Sequence, residues 1–310
     1  MSKRLFRGNG KLLLTGEYLV LQGAESLALP TKLGQSMEVK ESSGAEIKWL
    51  SLDENGEKWF EAKLSQYDFK AIDTSDEKIS DLLTKLFKAC ARQDSEFLAQ
   101  WGGRQVTTRL EFDRNWGLGS SSTLIHCIAA WADVNAYQLC MDTIGGSAYD
   151  IACAAADGPL IYQLNDNQIS VTEADFMPKY HEQIYLAFLG KKQDSQKSVA
   201  DFQLSNKDFK SEISDISALT LEIEKAASLD KFIELMEAHE IIMSKVLGQE
   251  KIKDIRFGDF DGTVKSLGAW GGDFALFASN MDPQSIVSYL DKKGLNTYFK
   301  YQDLVLKRTV

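Results

Sequence analysis

Three places in this chain combine residue types that can do chemistry. The first is Asn115-Trp116-Gly117-Leu118-Gly119-Ser120-Ser121-Ser122-Thr123. An alternating apolar run, Val106 to Phe112, precedes it, and Leu124, Ile125, Ile128, Ala129 and Trp131 follow at helical spacing. The pattern reads as strand, glycine-serine loop and helix start. Gly117 and Gly119 permit backbone angles and close approaches that a Cβ would block. The serines can cap a helix whose first N–H groups have no intrahelical partners, and the positive end of its dipole attracts anions. Such a loop suits a nucleotide phosphate; the same residues also serve as a tight connection and nothing more. No GxxxxGK[ST] occurs, so a nucleotide site here is not a P-loop.

The second place is Gly10-Lys11, before the apolar Leu12-Leu13-Leu14. A lysine beside glycines can reach a phosphate, and a lysine at a strand edge also blunts that edge. The third is Gly145-Gly146-Ser147-Ala148-Tyr149-Asp150-Ile151-Ala152, a small-residue loop entering an alanine-rich helix. Asp150 falls in the first turn. There it either complements the helix dipole or presents a carboxylate to a substrate hydroxyl.

The elements that must position these residues can be read in outline. Gly16-Glu17-Tyr18 interrupts the first apolar strand, and Leu19-Val20-Leu21 is expected to resume it as a hairpin or bulged pair. Short alternating runs between 27 and 63 read as antiparallel strands. Ile79, Leu82, Leu83, Leu86, Phe87 and Cys90 read as one face of a helix over 76–92. After the third place comes a hairpin over 159–163 and 167–172. The pattern resets at Met177-Pro178, which sets an expected division into domains 1–176 and 177–310. Beyond it lie a strand to Leu189, helices over 207–227 and 229–247, a strand over 274–278, a helix over 282–293 and a strand over 297–301. The whole is an α+β chain.

Composition narrows the function classes. A length of 310 residues allows two cores, and a net charge of −10 opposes nonspecific nucleic-acid binding. No apolar run approaches membrane-spanning length, and Lys11 to Leu14 is too short for a signal-peptide core. Neither nucleic acid nor a membrane is therefore an expected partner. The four cysteines are scattered without a CxxC, which suits reduced, buried thiols in a cytoplasmic protein. His126 and His239 lie on helical patterns and read as packed side chains. No metal-ligand spacing appears.

Three glycine-rich stretches, at 10–23, 117–122 and 268–272, together with Asp150, resemble the GHMP kinase superfamily. Residues 10–23 look like its first motif, GLGSSS (117–122) like its phosphate loop, and GAWGG (268–272) like its third motif. GKLLLTGEY and Gly146-Ser147-Ala148-Tyr149-Asp150-Ile151-Ala152 are most similar to phosphomevalonate kinases and to a bacterial subgroup with a GYDIA segment. The resemblance implies a ribosomal S5-like N-terminal domain and a ferredoxin-like C-terminal domain. It implies ATP and Mg²⁺ as cofactors and a small anionic acceptor, with the chain a monomer or homodimer. Asn115, Gly117, Leu118, Gly119, Ser120, Ser121 and Ser122 would bind the nucleotide, with Ser121 on the metal. Asp150 and Lys11 would be catalytic. Glu17, Tyr18, Ser147, Lys191, Ser195, Lys197, Gly271 and Gly272 would meet the acceptor, although solvated lysines also explain the basic stretch. The chain departs from the family's patterns at Asn115, Trp116 and Trp270. Leu139 stands where mevalonate kinases carry a metal-binding glutamate, and Asp142, the nearest acid, is out of register. The implied activity is a mevalonate-pathway kinase, phosphomevalonate or mevalonate being the acceptor. Diphosphomevalonate decarboxylase and a non-catalytic nucleotide-binding protein are the alternatives.

Overall fold

A computed structural model describes residues 3–99, 102–166, 168–191, 202, 208–268, 270 and 273–308. Its strands are β1 (Lys3–Leu13), β2 (Ser26–Ser42), β3 (Glu46–Leu52), β4 (Lys58–Ser65), β5 (Ala71–Thr74), β6 (Gly103–Leu110), β7 (Leu160–Asn165), β8 (Gln168–Glu173), β9 (Ile184–Phe188), β10 (Thr263–Leu267), β11 (Phe274–Ala278) and β12 (Tyr298–Lys300). Its helices are α1 (Glu77–Gln93), α2 (Ser120–Ala132), α3 (Ala136–Thr143), α4 (Tyr149–Ala155), α5 (Lys210–Glu224), α6 (Leu229–Leu247), α7 (Ile252–Arg256), α8 (Pro283–Lys292) and α9 (Tyr301–Leu304). The architecture is mixed α+β, as the patterning implies. The chain forms two compact units, each gathered from non-consecutive segments.

The first unit comprises Met1–Gly10, Leu33–Arg114 and Leu118–Ala155. Its strands run in the order β5-β4-β3-β6-β2. β3 and β6 are parallel, and the other neighbouring pairs are antiparallel. Helix α1 starts where Asp76 accepts from the N–H groups of Lys78 (2.9 Å) and Ile79 (3.3 Å), an N-cap that satisfies two otherwise orphaned donors. Its Leu83, Leu86, Phe87 and Cys90 are fully buried. Phe87 gathers the core, with Trp49, Phe69, Phe97 and Trp131 rings around it. Burying each such Leu or Phe is worth about 1.5–3 kcal/mol. Helices α2, α3 and α4 pack on one another in this unit. All four cysteines, Cys90, Cys127, Cys140 and Cys153, are buried in it and form no disulfide.

The second unit comprises Lys11–Lys32, Asn115–Gly117 and Ala156–Val310. The β7–β8 hairpin is antiparallel, and Ser26 to Ala28 of β2 pair with β7. A four-stranded antiparallel sheet runs β10-β11-β9-β12. Every residue of β10 and β11 is buried, and α6 and α7 both pack against β10. Ser228 caps α6 through the N–H of Lys231, and Gly248 ends it in the left-handed region.

Leu19, Val20 and Leu21 do not resume a strand. They belong to a 3₁₀ turn, Leu19–Gln22. Gly16 (φ 80°), Tyr18 (φ 61°) and Gly23 (φ 99°) all adopt positive φ, so the backbone reverses instead of extending. The turn closes with bonds from Val20 N–H to Gly16 O (2.8 Å) and Leu21 N–H to Tyr18 O (3.0 Å). Leu19 and Val20 are satisfied by burial rather than by a sheet.

Candidate active site

In the first unit, the glycine-serine loop delivers an open helix start. Gly119 holds the N-cap position of α2 at φ 89°, ψ 43°, and no side chain caps the helix. The first backbone bond runs from Thr123 N–H to Gly119 O (3.0 Å), so the N–H groups of Ser120, Ser121 and Ser122 precede the helical ladder. The Ser122 hydroxyl donates to Gly119 O (2.8 Å), and Thr123 Oγ1 donates to Ser120 O (3.1 Å). These hydroxyls stiffen the turn. Ser121 is exposed and Ser120 half-buried. No acid lies in the first turn. Free N–H groups at the positive end of a 13-residue helix make an anion site.

Asp150 occupies the first turn of α4, which packs against α2 within the same unit. One of its carboxylate oxygens accepts from the N–H of Ile151 (3.1 Å). The loop before it is tightly wound: Gly145, Gly146 and Ala148 have φ of 70°, 92° and 59°. For Ala148 that geometry is strained, and such strain clusters at functional sites. Ser147 between them is buried. Burial, with the Asp150 charge adding to it, pushes the Cys140 thiol up to about 12.

Three segments of the second unit carry the remaining residues. Lys11 lies in β1 and is half-buried. Gly117 (φ 72°) faces the buried Asp273, whose carboxyl would come within 2.6 Å of a Cβ at that position. Any other residue at 117 would displace the acid. Beside it, Trp116 sets its ring against those of Phe299 (5.5 Å) and Phe274 (6.4 Å). Trp116, one of the departures noted above, is thus anchored to the C-terminal sheet of the unit.

The most concentrated chemistry in this unit escapes sequence reasoning. Lys265, in the middle of β10, ion-pairs with Glu17 of the first motif. It lies 3.4 Å from Glu240 Oε1 and donates to Ser266 O (3.0 Å). Glu240 Oε2 in turn accepts from Ser266 N–H (3.4 Å). All three charged side chains are at most 1% exposed. His239 completes the group. Gly16 N–H donates to its Nε2 (3.0 Å), which puts the imidazole proton on Nδ1. The 3.5 Å approach of Nε2 to Glu17 is therefore not an ion pair. Burial holds His239 well below the usual histidine range, with Lys265 reinforcing the shift. Burial raises Glu17 despite the Lys265 charge. Glu240 is pushed up to about 7, chiefly by burial, opposed by Lys265 and assisted by Glu17. The sequence signal was a lysine and a serine between Val264 and Leu267 of one strand, just before a glycine.

The structure brings Leu118 to Ser122, Ser147 and Asp150 into one unit, and Lys11, Glu17, Tyr18, Asn115, Gly117 and Lys191 into the other. Tyr18 packs on Phe202 (5.3 Å between rings), and Lys191 is exposed. Ser195, Lys197, Gly271 and Gly272 lie outside the described residues. Asp142 accepts from Gln138 Nε2 (2.7 Å), and Leu139 is fully buried. Among the described residues no group of three or more His, Cys, Asp or Glu could hold a metal. A divalent ion held here would rely on the exposed Ser121 hydroxyl and on phosphate oxygens, a ligand set that suits Mg²⁺. No helix of the described residues is long and apolar enough to cross a membrane.

The fold is that of the GHMP small-molecule kinases. Among solved structures, the chain is similar to the mevalonate kinase of Methanococcus jannaschii, with 16% identity, 99% of each chain covered and a TM-score of 0.70. It is similar to the Streptococcus pneumoniae phosphomevalonate kinase, solved in complex with phosphomevalonate and AMPPNP, with 15% identity, 96% of this chain and 99% of the other covered, and a TM-score of 0.70. A galactokinase of Lactococcus lactis, complexed with galactose, shares 12% identity over 99% of this chain and 94% of its own, with a TM-score of 0.66. No family model matches the sequence, and a comparison with curated proteins finds no match.

Proposed function

We propose that this protein is an ATP-dependent kinase that phosphorylates a small anionic metabolite, with phosphomevalonate or mevalonate as the acceptor. The observation that carries the reading is the uncapped N-terminus of α2 at the Gly119 turn. Its N–H groups from Ser120 to Ser122 would receive the β- and γ-phosphates of the nucleotide. The S. pneumoniae neighbour binds AMPPNP and phosphomevalonate on the same fold, which supports both ligands here. The galactokinase neighbour keeps the acceptor open. GKLLLTGEY and the AYDIA segment favour the mevalonate pathway.

In the reaction, an acceptor oxygen forms a bond to the γ-phosphorus as the bond to the bridging oxygen breaks, and ADP leaves. Such transfer depends on positioning and charge neutralisation more than on covalent chemistry. Asp150 orients the acceptor and takes its proton where the acceptor is a hydroxyl. Lys11 neutralises charge on the transferred group. Ser121 would hold Mg²⁺ through its hydroxyl, and the ion would supply charge neutralisation on the phosphates.

A coupled ADP-release screen against mevalonate, phosphomevalonate, diphosphomevalonate, galactose and homoserine, with CO₂ detection in parallel, tests the reading. ADP release with phosphomevalonate or mevalonate and no CO₂ is expected. CO₂ from diphosphomevalonate would replace the kinase with a decarboxylase. ATP binding without ADP release on any acceptor would leave a nucleotide-binding protein.

A further inference from the structure

The first motif bends through a strained turn. Leu19 N–H donates to Glu17 O (2.7 Å), which closes a three-residue turn on Tyr18 at φ 61° and ψ −45°. This is the γ-turn of positive φ, centred near about 75° and −65°, the rare and strained form of the two. A glycine takes that shape readily, and a tyrosine does not. Such strain persists only where the surroundings over-determine it, and it clusters at ligand clamps and active sites.

The surroundings here are side chains from three elements of the same unit. From α6, His239 Nε2 accepts from Gly16 N–H (3.0 Å), two residues before the strained tyrosine. From β10, Lys265 pairs with Glu17. From α5, Thr220 donates to Glu25 O (3.0 Å), so the proton between Thr15 Oγ1 and Thr220 Oγ1 (2.8 Å) comes from Thr15, whose oxygen accepts from Leu27 N–H (2.8 Å). The chain is thus held on both sides of the turn. Stability alone does not explain the arrangement. Glu17 and His239 are at most 1% exposed, and among the described residues neither Glu17 Oε2 nor His239 Nδ1 has a hydrogen-bond partner. A leucine at 239 would fill the space without leaving a buried donor unmet. What the imidazole adds is an acceptor fixed opposite Gly16.

The resemblance gives both Glu17 and Tyr18 to the acceptor. The Glu17 carboxylate turns inward to Lys265 instead, while Tyr18 is half-buried. We infer that His239 is a positioning residue for the acceptor: its bond to Gly16 N–H holds the Glu17-Tyr18-Leu19 turn in the strained form, and that form presents Tyr18 to the acceptor. The inference rests on the kinase reading, with the first motif on the acceptor's side.

The test compares two variants of the full-length protein. The side-chain amide of His239→Gln reaches the position of Nε2, and that of His239→Asn falls one methylene short. His239→Asn should raise the KM for phosphomevalonate, or for mevalonate where that is the acceptor, by about tenfold or more, the scale of one well-placed hydrogen bond. The KM for ATP should stay within about twofold, and His239→Gln should return the acceptor KM to within about threefold of the wild type. An unchanged acceptor KM in His239→Asn, a parallel rise in both KM values, or no recovery in His239→Gln would overturn the inference.

A second measurement needs no acceptor. Tyr18→Gly and Tyr18→Ala differ by one Cβ at the strained position. Urea denaturation should give the glycine variant a folding constant about three- to tenfold above that of the alanine variant. Combined with His239→Asn, the two should come out equal. The same ratio in both backgrounds, or equal constants with His239 present, would show that His239 holds no strain. If His239→Asn does not fold, His239→Gln takes its place: the ratio should survive there, and its loss would overturn the clamp. Absence of ADP release on every acceptor would remove the kinase reading, and with it the acceptor's part, while the folding ratios still decide whether His239 holds the turn.

Discussion

The start of α2 and the group around Lys265 are both built beside glycine motifs, yet they treat polarity in opposite ways. At the start of α2 the backbone donors are left outside the helical ladder, no side chain caps them, and Ser121 faces solvent. Around Lys265 the charged groups are spent on one another with water excluded. The first arrangement keeps interaction capacity for a ligand, and the second consumes it in joining the first motif to β10 and α6. A charged residue inside a recognisable motif thus has two destinies, and only the packing around it distinguishes them.

The comparison breaks most visibly at Asp150. Asp150→Asn keeps size and most hydrogen bonding while removing the charge, and should lower kcat by about two to four orders of magnitude. Its urea midpoint should stay at the wild-type value. Near-normal turnover on the best acceptor would reduce Asp150 to a helix-terminal acid. Lys265→Met should do the reverse in kind. It strands two carboxylates in the interior, and losing one partner of a buried charge group costs about 3–5 kcal/mol. Urea denaturation followed by circular dichroism reads this directly, and a loss below about 1 kcal/mol would mean the group is solvated.

A subtler contrast lies in pH. Folded Glu240 keeps its proton up to about 7, whereas the ordinary glutamate value is 4.5. Between those values the unfolded chain has released a proton that the folded chain retains, so rising pH withdraws stability. His239 acts oppositely: below its ordinary 6.5 the unfolded chain gains a proton that the buried imidazole refuses, so falling pH withdraws stability. Glu240→Gln, which mimics the protonated acid, should therefore gain on the wild type as pH rises from 4.5 to about 7 and run parallel above that. Parallel stability curves across the whole range would place the proton elsewhere. The smallest effect on stability belongs to Ser121→Ala. It should unfold within about 0.5 kcal/mol of the wild type and still lose turnover at limiting Mg²⁺; unaltered turnover there would remove Ser121 from the metal.

Much of the scaffold was legible because it is local. The helical stripe in 76–92 and the pattern over 229–247 match α1 and α6, and the alternating run before Asn115 matches β6. The 3₁₀ turn after Tyr18 was not, since Leu-Val-Leu favours a strand and nothing in the residue type announces φ 61° at a tyrosine. Helix α3 carried its own signal, an Asn135 cap accepting from Tyr137 and Gln138, which short length obscured. The glycine-serine loop could be read because its chemistry is written in consecutive residues. Glu17 and Lys265 are 248 positions apart, and no periodicity reports on a pair so distant.

The four cysteines have a consequence of another kind. All sit in the first unit, all are buried, and burial pushes Cys90, Cys127 and Cys140 up to about 12. Thiolate is the reactive form, so a maleimide or disulfide reagent should find the native protein almost inert near neutral pH. Whatever slow labelling does occur must await a local opening, and every site of labelling belongs to the same unit. The chain therefore carries a built-in clock: the rate of thiol modification times the opening of one unit and is blind to the other, and a single cysteine introduced on an exposed turn of the second unit would take a fluorophore with almost no background.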